Sequence, residues 1–177
     1  MPAVERFSCS WGPLVLKISA LVTGMLFFFV GYGIYEAMDA WDGWSIPLAL
    51  TVFLCVAMPL GVLGATAIYA PLSYEVSHDT LRIRRIAPDV RVPVQTVARV
   101  EGPDADLMLG SLRLFSSGGL YGFFGLFRNK RLGLYHAHAT RRDTLVRCVC
   151  ADGTQYILSP DDPAAFLRAV RSAARLK

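Results

Sequence analysis

Three patterns of hydrophobic and polar positions follow one another along the chain: a short polar arm, two long uncharged apolar runs, and a stretch in which apolar and polar residues alternate. No residue from Ile18 to Tyr35 is charged, and the apolar run reaches back to Pro13. As a helix over about 14–35 it rises roughly 33 Å, enough for a hydrocarbon core of ~30 Å. A second uncharged stretch, Gly43–Tyr74, has its apolar body at Ile46–Ala70. Only the polar turn "EAMDAWDGWS" separates the two. The pattern predicts a transmembrane hairpin over 13–70, with helices at about 14–35 and 46–70, preceded by an arm over 1–12. A cleaved signal peptide would need a shorter apolar core and a small-residue cleavage site, and the chain offers only "AMDA" after Tyr35. A core helix uncharged on every face would need a far larger soluble protein around it.

After Pro71 the period becomes two. "LSYEVSH" and "TLRIRRI" alternate across an "HD" turn, which predicts two antiparallel strands. "VRVPVQTVARVEG" continues the pattern, with Pro93 at a strand end or edge. "LRLF", "LGLYHAHAT", "TLVRCVC" and "TQYILS" are further short strands, the last two joined through the turn "ADG". Six or seven strands in about 85 residues predict a small antiparallel sandwich or barrel. The C-terminal "SPDDPAAFLRAVRSAARLK" reads as a helix with Ser159 as N-cap, Pro160 at its first position and Asp161 and Asp162 in its first turn. Phe166, Leu167, Val170 and Ala174 form its apolar stripe.

Charge sets the orientation of the hairpin. Of the 18 lysines and arginines, Arg6 and Lys17 precede the uncharged stretch that begins at Ile18, none lies in the turn, and the other 16 follow residue 80. The turn holds Glu36, Asp39 and Asp42. The positive-inside rule therefore predicts both termini in the cytoplasm of a bacterial inner membrane. Trp11, Tyr32, Tyr35, Trp41, Trp44 and Tyr69 are spaced as interfacial belts. With 16 bases and 10 acids, residues 75–177 carry a net charge of +6, which suits an anionic leaflet. Nucleic acid is not an expected partner, because no recognised nucleic-acid motif accompanies the charge. Hydrophobic residues reach 54% and charged ones 18%, against roughly 45–50% and 25% in soluble domains. The excess sits in the two apolar runs.

Chemistry concentrates in "SSGGLYGFFGLFRNKRLGLYHAHATRR", Ser116–Arg142. Its glycines do not make a phosphate loop: neither a GK[ST] ending nor a G-x-G-x-x-G fingerprint is present. His136 and His138 share one face of a strand, as do Cys148 and Cys150 on the next. A hairpin centred on Asp143 would set His138 against Cys148 and His136 against Cys150, the candidate metal ligands of a tetrahedral zinc site. The commoner alternative makes both cysteines small buried hydrophobes. A reducing compartment predicts free thiols at all four cysteines. Asp79, Asp89, Asp104, Asp106, Asp143 and Asp152 sit in turns for backbone reasons. No catalytic constellation appears, so neither an enzyme nor a cofactor is expected. Phe123, Phe124 and Phe127 immediately before Arg128, Lys130 and Arg131 form the candidate interaction surface, by aromatic insertion plus basic contact with lipid headgroups or a partner. The alternative is that the phenylalanines fill the domain's own core.

"GLYGFFGLFRNKRLG", "YHAHATRRDTLVRC" and "DGTQYILSPDDPAAFLRAV", with "VRVPVQTVARVE" before them, resemble the bacterial PH-domain family of membrane-tethered proteins. The resemblance covers 73–176. It implies an α+β membrane protein in which residues 71–177 form a PH-like antiparallel sandwich or barrel with a C-terminal capping helix. It brings no catalytic residues. The expected function is a non-enzymatic membrane-anchored scaffold or accessory subunit of a membrane-protein complex, with an anionic-lipid-sensing domain as the alternative and a His/Cys metal-binding protein as a weaker one. In the bilayer, Gly24, Gly31, Gly33, Gly61, Gly64 and Ala65 are expected to serve the hairpin's own helix pairing, with contact to a partner's helix as the alternative.

Overall fold

A computed structural model describes residues 4–39 and 46–176. Trp41, Asp42 and Trp44 of the connecting turn lie outside the described residues. The two apolar runs form helices α1 (Pro13–Asp39) and α2 (Ile46–Tyr69). Both are long and apolar enough to cross a membrane, and their most apolar windows are only 11% and 17% buried within the protein. They are therefore not core helices of the domain that follows.

Alpha-helical hydrogen bonding in α2 gives way to a π turn at Phe53–Ala57, where Met58 N–H donates to Phe53 C=O. Pro59 follows directly. A proline ring clashes with the carbonyl four residues earlier and offers no N–H to it, and the widened turn relieves this at Cys55. A continuous second helix was the expectation; the proline accounts for the difference. Of the six small residues expected to pair the helices, Gly33 does so. A Cβ there would stand 2.4 Å from Cys55 Cβ, whereas nothing lies within 4 Å of one at Gly24, Gly31, Gly61 or Gly64.

The remaining elements are β1 (Glu5–Ser8), β2 (Ser73–Val76), β3 (Thr80–Arg84), β4 (Val90–Pro93), β5 (Val97–Glu101), β6 (Leu112–Gly118), β7 (Phe123–Asn129), β8 (Gly133–Ala139), β9 (Val146–Cys150), β10 (Gln155–Leu158) and α3 (Pro163–Ala174). They build two sheets, β1-β2-β3-β4 and β5-β9-β10-β8-β7-β6. Between the first sheet, the β5-β9 end of the second and α3 lies a core that includes Tyr74, Leu81, Ile83, Val146, Cys148 and Phe166. A second core, with Phe123, Phe127, Tyr135 and Ile157, takes in Val15 of α1.

Two features depart from the sequence pattern. The N-terminal arm is not separate from the sandwich: β1 pairs antiparallel with β2, setting Phe7 against Tyr74. The helical hairpin is thus an insertion between two adjacent strands. Short connections fix it on both sides. Gly12 N–H donates to Thr140 C=O at 3.0 Å, Leu72 N–H to Arg84 C=O at 2.8 Å, and Ala87 N–H to Ile68 C=O at 2.9 Å. The second departure is parallel pairing of β10 with β8, in place of the all-antiparallel order expected. Thr140 and Ser159, at matching ends of these strands, are both buried, and Thr140 N–H donates to Ser159 Oγ at 2.8 Å. This junction carries the chain past the end of β10 before β9 begins.

The start of α3 is also shifted. Asp162 is its N-cap, accepting from Ala165 N–H at 2.9 Å, and Pro163 is its first residue. Ser159 serves the β8 end instead, and Asp161 accepts from Ser10 N–H at 2.9 Å.

Candidate functional site

The run from Ser116 to Arg142 is mostly sheet. Phe123, Phe124 and Phe127, expected as inserting aromatics, are only 1%, 8% and 3% exposed. They lie on β7, a full central strand between β6 and β8. Phe127 stacks on Tyr135 with ring centroids 5.8 Å apart. The three rings are thus packed within the protein and unavailable for insertion, contrary to the expectation for them. Gly125 is paired with Ser116 of β6, one pair beyond the bulge between Arg113 and Phe115. Its φ of 111° and the 2.2 Å between a hypothetical Cβ and Phe115 O explain why only glycine fits.

Arg128, Lys130 and Arg131 are exposed, as expected. Asn129 locks the β7-β8 turn between them: its Oδ1 accepts from Leu132 N–H at 2.6 Å, and its Nδ2 donates to Leu107 C=O at 3.0 Å. Arg131 pairs with Asp104 at 3.0 Å. Among the described residues no carboxylate pairs with Arg128 or Lys130. These bases border a cleft of about 850 Å³ that includes exposed Leu109 and Leu112. The loop that meets α1 is at the other end of β7, where Tyr121 N–H donates to Ser19 Oγ at 2.8 Å and Trp11 lies 5.5 Å from the Tyr121 ring. Seven strand residues separate the two ends, about 23 Å along the strand. The basic turn therefore lies at the opposite end of β7 from that loop.

The four candidate metal ligands do not come together. β10 lies between β8 and β9, so that His136 is paired with Tyr156, and Tyr156 with Cys148. His136 and Cys148 are then two strand spacings apart, about 9–10 Å. His136 is exposed and its ring stacks on Tyr156 at 5.6 Å. Cys148 and Cys150 are 0% and 5% exposed in the main core. Burial pushes the Cys148 thiol up to about 12. No group of three or more potential ligands forms a metal site among the described residues. The intended zinc geometry fails because sequence-adjacent strands were expected to be neighbours in the sheet.

His138 is different from His136: it is 6% exposed, and its Nδ1 has no hydrogen-bond partner. Burial, then the nearby charges of Arg85 and His136, lower its pKa to about 3. The imidazole is neutral at physiological pH.

Two sheets closed by a C-terminal helix, with the β9-β10 hairpin leading into that helix, are the arrangement that the resemblance implied. The Bacterial PH domain family matches residues 72–174. The chain belongs to that family. No curated protein and no solved structure matches. The match begins at the end of α2, so the helical hairpin and β1 lie outside the part that defines this bacterial PH domain. A PH-like domain of this kind is an interaction module for protein or lipid.

Proposed function

We propose that the chain is a membrane-anchored, non-enzymatic scaffold or accessory subunit that presents its PH-like domain in a fixed pose to a membrane-protein complex. The observation that carries this reading is the insertion of α1 and α2 between the paired strands β1 and β2. Anchors that let a domain search a membrane use flexible linkers. Here both connections are hydrogen-bonded to the sandwich within a few residues of the helices, so the domain and the anchor turn together. That suits a part which must hold one face toward a neighbour.

In this reading α1 and α2 cross the bacterial inner membrane as a hairpin, and both termini are cytoplasmic. The bias of lysine and arginine toward the domain supports the orientation, as does the arrival of both helix ends at one sandwich. The partner-facing edge is the exposed turn with Arg128, Lys130 and Arg131, beside Leu109 and Leu112. An acidic segment with apolar residues would complement it.

Solubilising native membranes in mild detergent and purifying the tagged chain tests the proposal. A membrane protein should co-purify with the wild type and be lost from Arg128→Glu/Lys130→Glu. A strictly lone species, or a partner indifferent to that double substitution, overturns the assignment.

A further inference from the structure

The last turns of α2 and the six-stranded sheet flank an open pocket of about 380 Å³ that plays no part in the basic turn. Ala65, Thr66 and Tyr69 form one wall, Phe115 and Phe124 the other, and Arg85 and His138 also line it. The walls are largely hydrocarbon. Its two nitrogen-bearing side chains are therefore conspicuous.

Arg85 holds its guanidinium 5.3 Å from the Tyr69 ring centroid. Its Nε donates to Pro88 C=O at 2.7 Å. No carboxylate pairs with it among the described residues, whereas neighbouring Arg82 and Arg84 share Glu75 and Asp89. No Asp or Glu lines the pocket. His138 is more than nine-tenths buried, and its Nδ1 has no hydrogen-bond partner among the described residues.

The pocket also has a defined place relative to the apolar helix. Ala87 N–H donates to Ile68 C=O, which fixes the turn carrying Arg85 to the end of α2. Ile68, Ile86 and Phe115 are 41%, 67% and 86% exposed around this turn and the pocket wall. The cation therefore stands where the apolar helix ends, and hydrocarbon walls run from it back toward Ala65. A ligand that fills both parts has an anionic head and an apolar tail. A zwitterionic head would find no carboxylate for its cationic end.

We propose that this pocket binds one anionic glycerophospholipid, with its phosphate at Arg85 and an acyl chain between Ala65, Phe115 and Phe124. The assignment rests on the membrane reading above, but not on the partner complex. It moves lipid recognition from the distal basic turn to the junction of helix and sheet.

The full chain, purified in a neutral maltoside and washed free of lipid, should be titrated with dioleoylphosphatidylglycerol, dioleoylphosphatidylcholine or inorganic phosphate, and bound species counted by native mass spectrometry. We expect one phosphatidylglycerol per chain, bound about fivefold more tightly than phosphatidylcholine, the ratio one headgroup-level base supplies. Millimolar phosphate should not displace it. Arg85→Gln should lose that preference, and Phe115→Asp should weaken binding through the acyl wall. Phe115 is too exposed for its replacement to threaten the fold. Arg128→Gln/Lys130→Gln should bind as the wild type does. Equal affinity for the two lipids, wild-type binding by both pocket variants, or displacement by phosphate alone would each overturn the proposal. A chain that stays in the aqueous fraction without detergent would overturn the membrane reading and this site with it, before any lipid is added.

Discussion

Arg6 Nη2 lies 2.6 Å from Glu75 Oε1, joining strands on either side of the inserted helices. Glu75 also has Arg84 at 3.5 Å and Arg82 at 3.9 Å, and its side chain is only 10% exposed. The carboxylate is thus the hub of three cations. Replacing it with alanine leaves three like charges together and should cost about 1–3 kcal/mol, discounted because the arginines are partly solvated. Arg6→Ala removes one spoke from a 65% exposed side chain and should cost less than about 1 kcal/mol. Thermal unfolding of the full chain in detergent measures both. Equal losses would show that Arg82 and Arg84 do not depend on Glu75.

His138 makes the protein sensitive to mild acid. Its pKa is lowered from 6.5 to about 3 in the folded state, chiefly by burial. The unfolded chain therefore takes up a proton first as pH falls. The associated stability is present above about pH 6.5 and drains away toward pH 3, by up to about 1.4 kcal/mol per pH unit. Asp89, Asp143, Asp152 and Asp161 are lowered from 3.8, so their loss becomes appreciable only below about pH 5. Between about pH 6.5 and 5 the slope belongs to the histidine. Denaturant midpoints across this window should flatten in His138→Leu; an unchanged slope would assign the acid sensitivity elsewhere.

At the alkaline end, burial pushes the Cys9 and Cys148 thiols from 9.0 up to about 12. The unfolded chain loses these protons first, so stability is fully present below pH 9 and declines as pH rises toward 12. Maleimide, which attacks the thiolate, should leave both cysteines unlabelled at pH 8 in the folded protein and modify them after denaturation. Intact-mass analysis with peptide mapping distinguishes the sites. Rapid labelling of either native thiol would contradict its burial.

Where one surface decided the outcome, the sequence was sufficient. Uninterrupted apolar runs mark α1 and α2, alternation marks β2 and β3, and the paired acids and prolines before Phe166 mark α3 within a turn. Elements that depend on distant partners were hidden. "ERFS" holds a single apolar residue, and it becomes a strand only against β2, 65 or more positions later. "FFGLFRN" lacks alternation because Phe127 enters one core while Phe124 faces the opposite side of the sheet, so it reads as a loop rich in aromatics. The basic turn was legible because arginine and lysine at a hairpin stay in water. Its distance from the helices was not, since that depends on the direction of β7. Arg85, inside the apparently solvated "RIRR", gave no local sign that its neighbours would take the carboxylates.

Close approach of the two apolar helices is concentrated at Gly33, and this gives the last prediction. A Cβ at Gly33 would lie 2.4 Å from Cys55 Cβ and 3.3 Å from Val56 Cγ2, both within the π turn that precedes Pro59. Neither contact is with the yielding end of a long side chain. Gly33→Ala must therefore push the helices apart or distort the turn, at roughly 1–3 kcal/mol. Gly24→Ala meets nothing within 4 Å and should be neutral, or stabilising by up to about 1 kcal/mol through helix propensity. Removing the opposing methylene with Cys55→Gly should cost about 1 kcal/mol by itself, yet relieve most of the Gly33→Ala defect in the double variant. Thermal unfolding of the four proteins in one detergent completes the cycle. Additive losses would mean that the clash at Cys55 is not what makes Gly33 necessary.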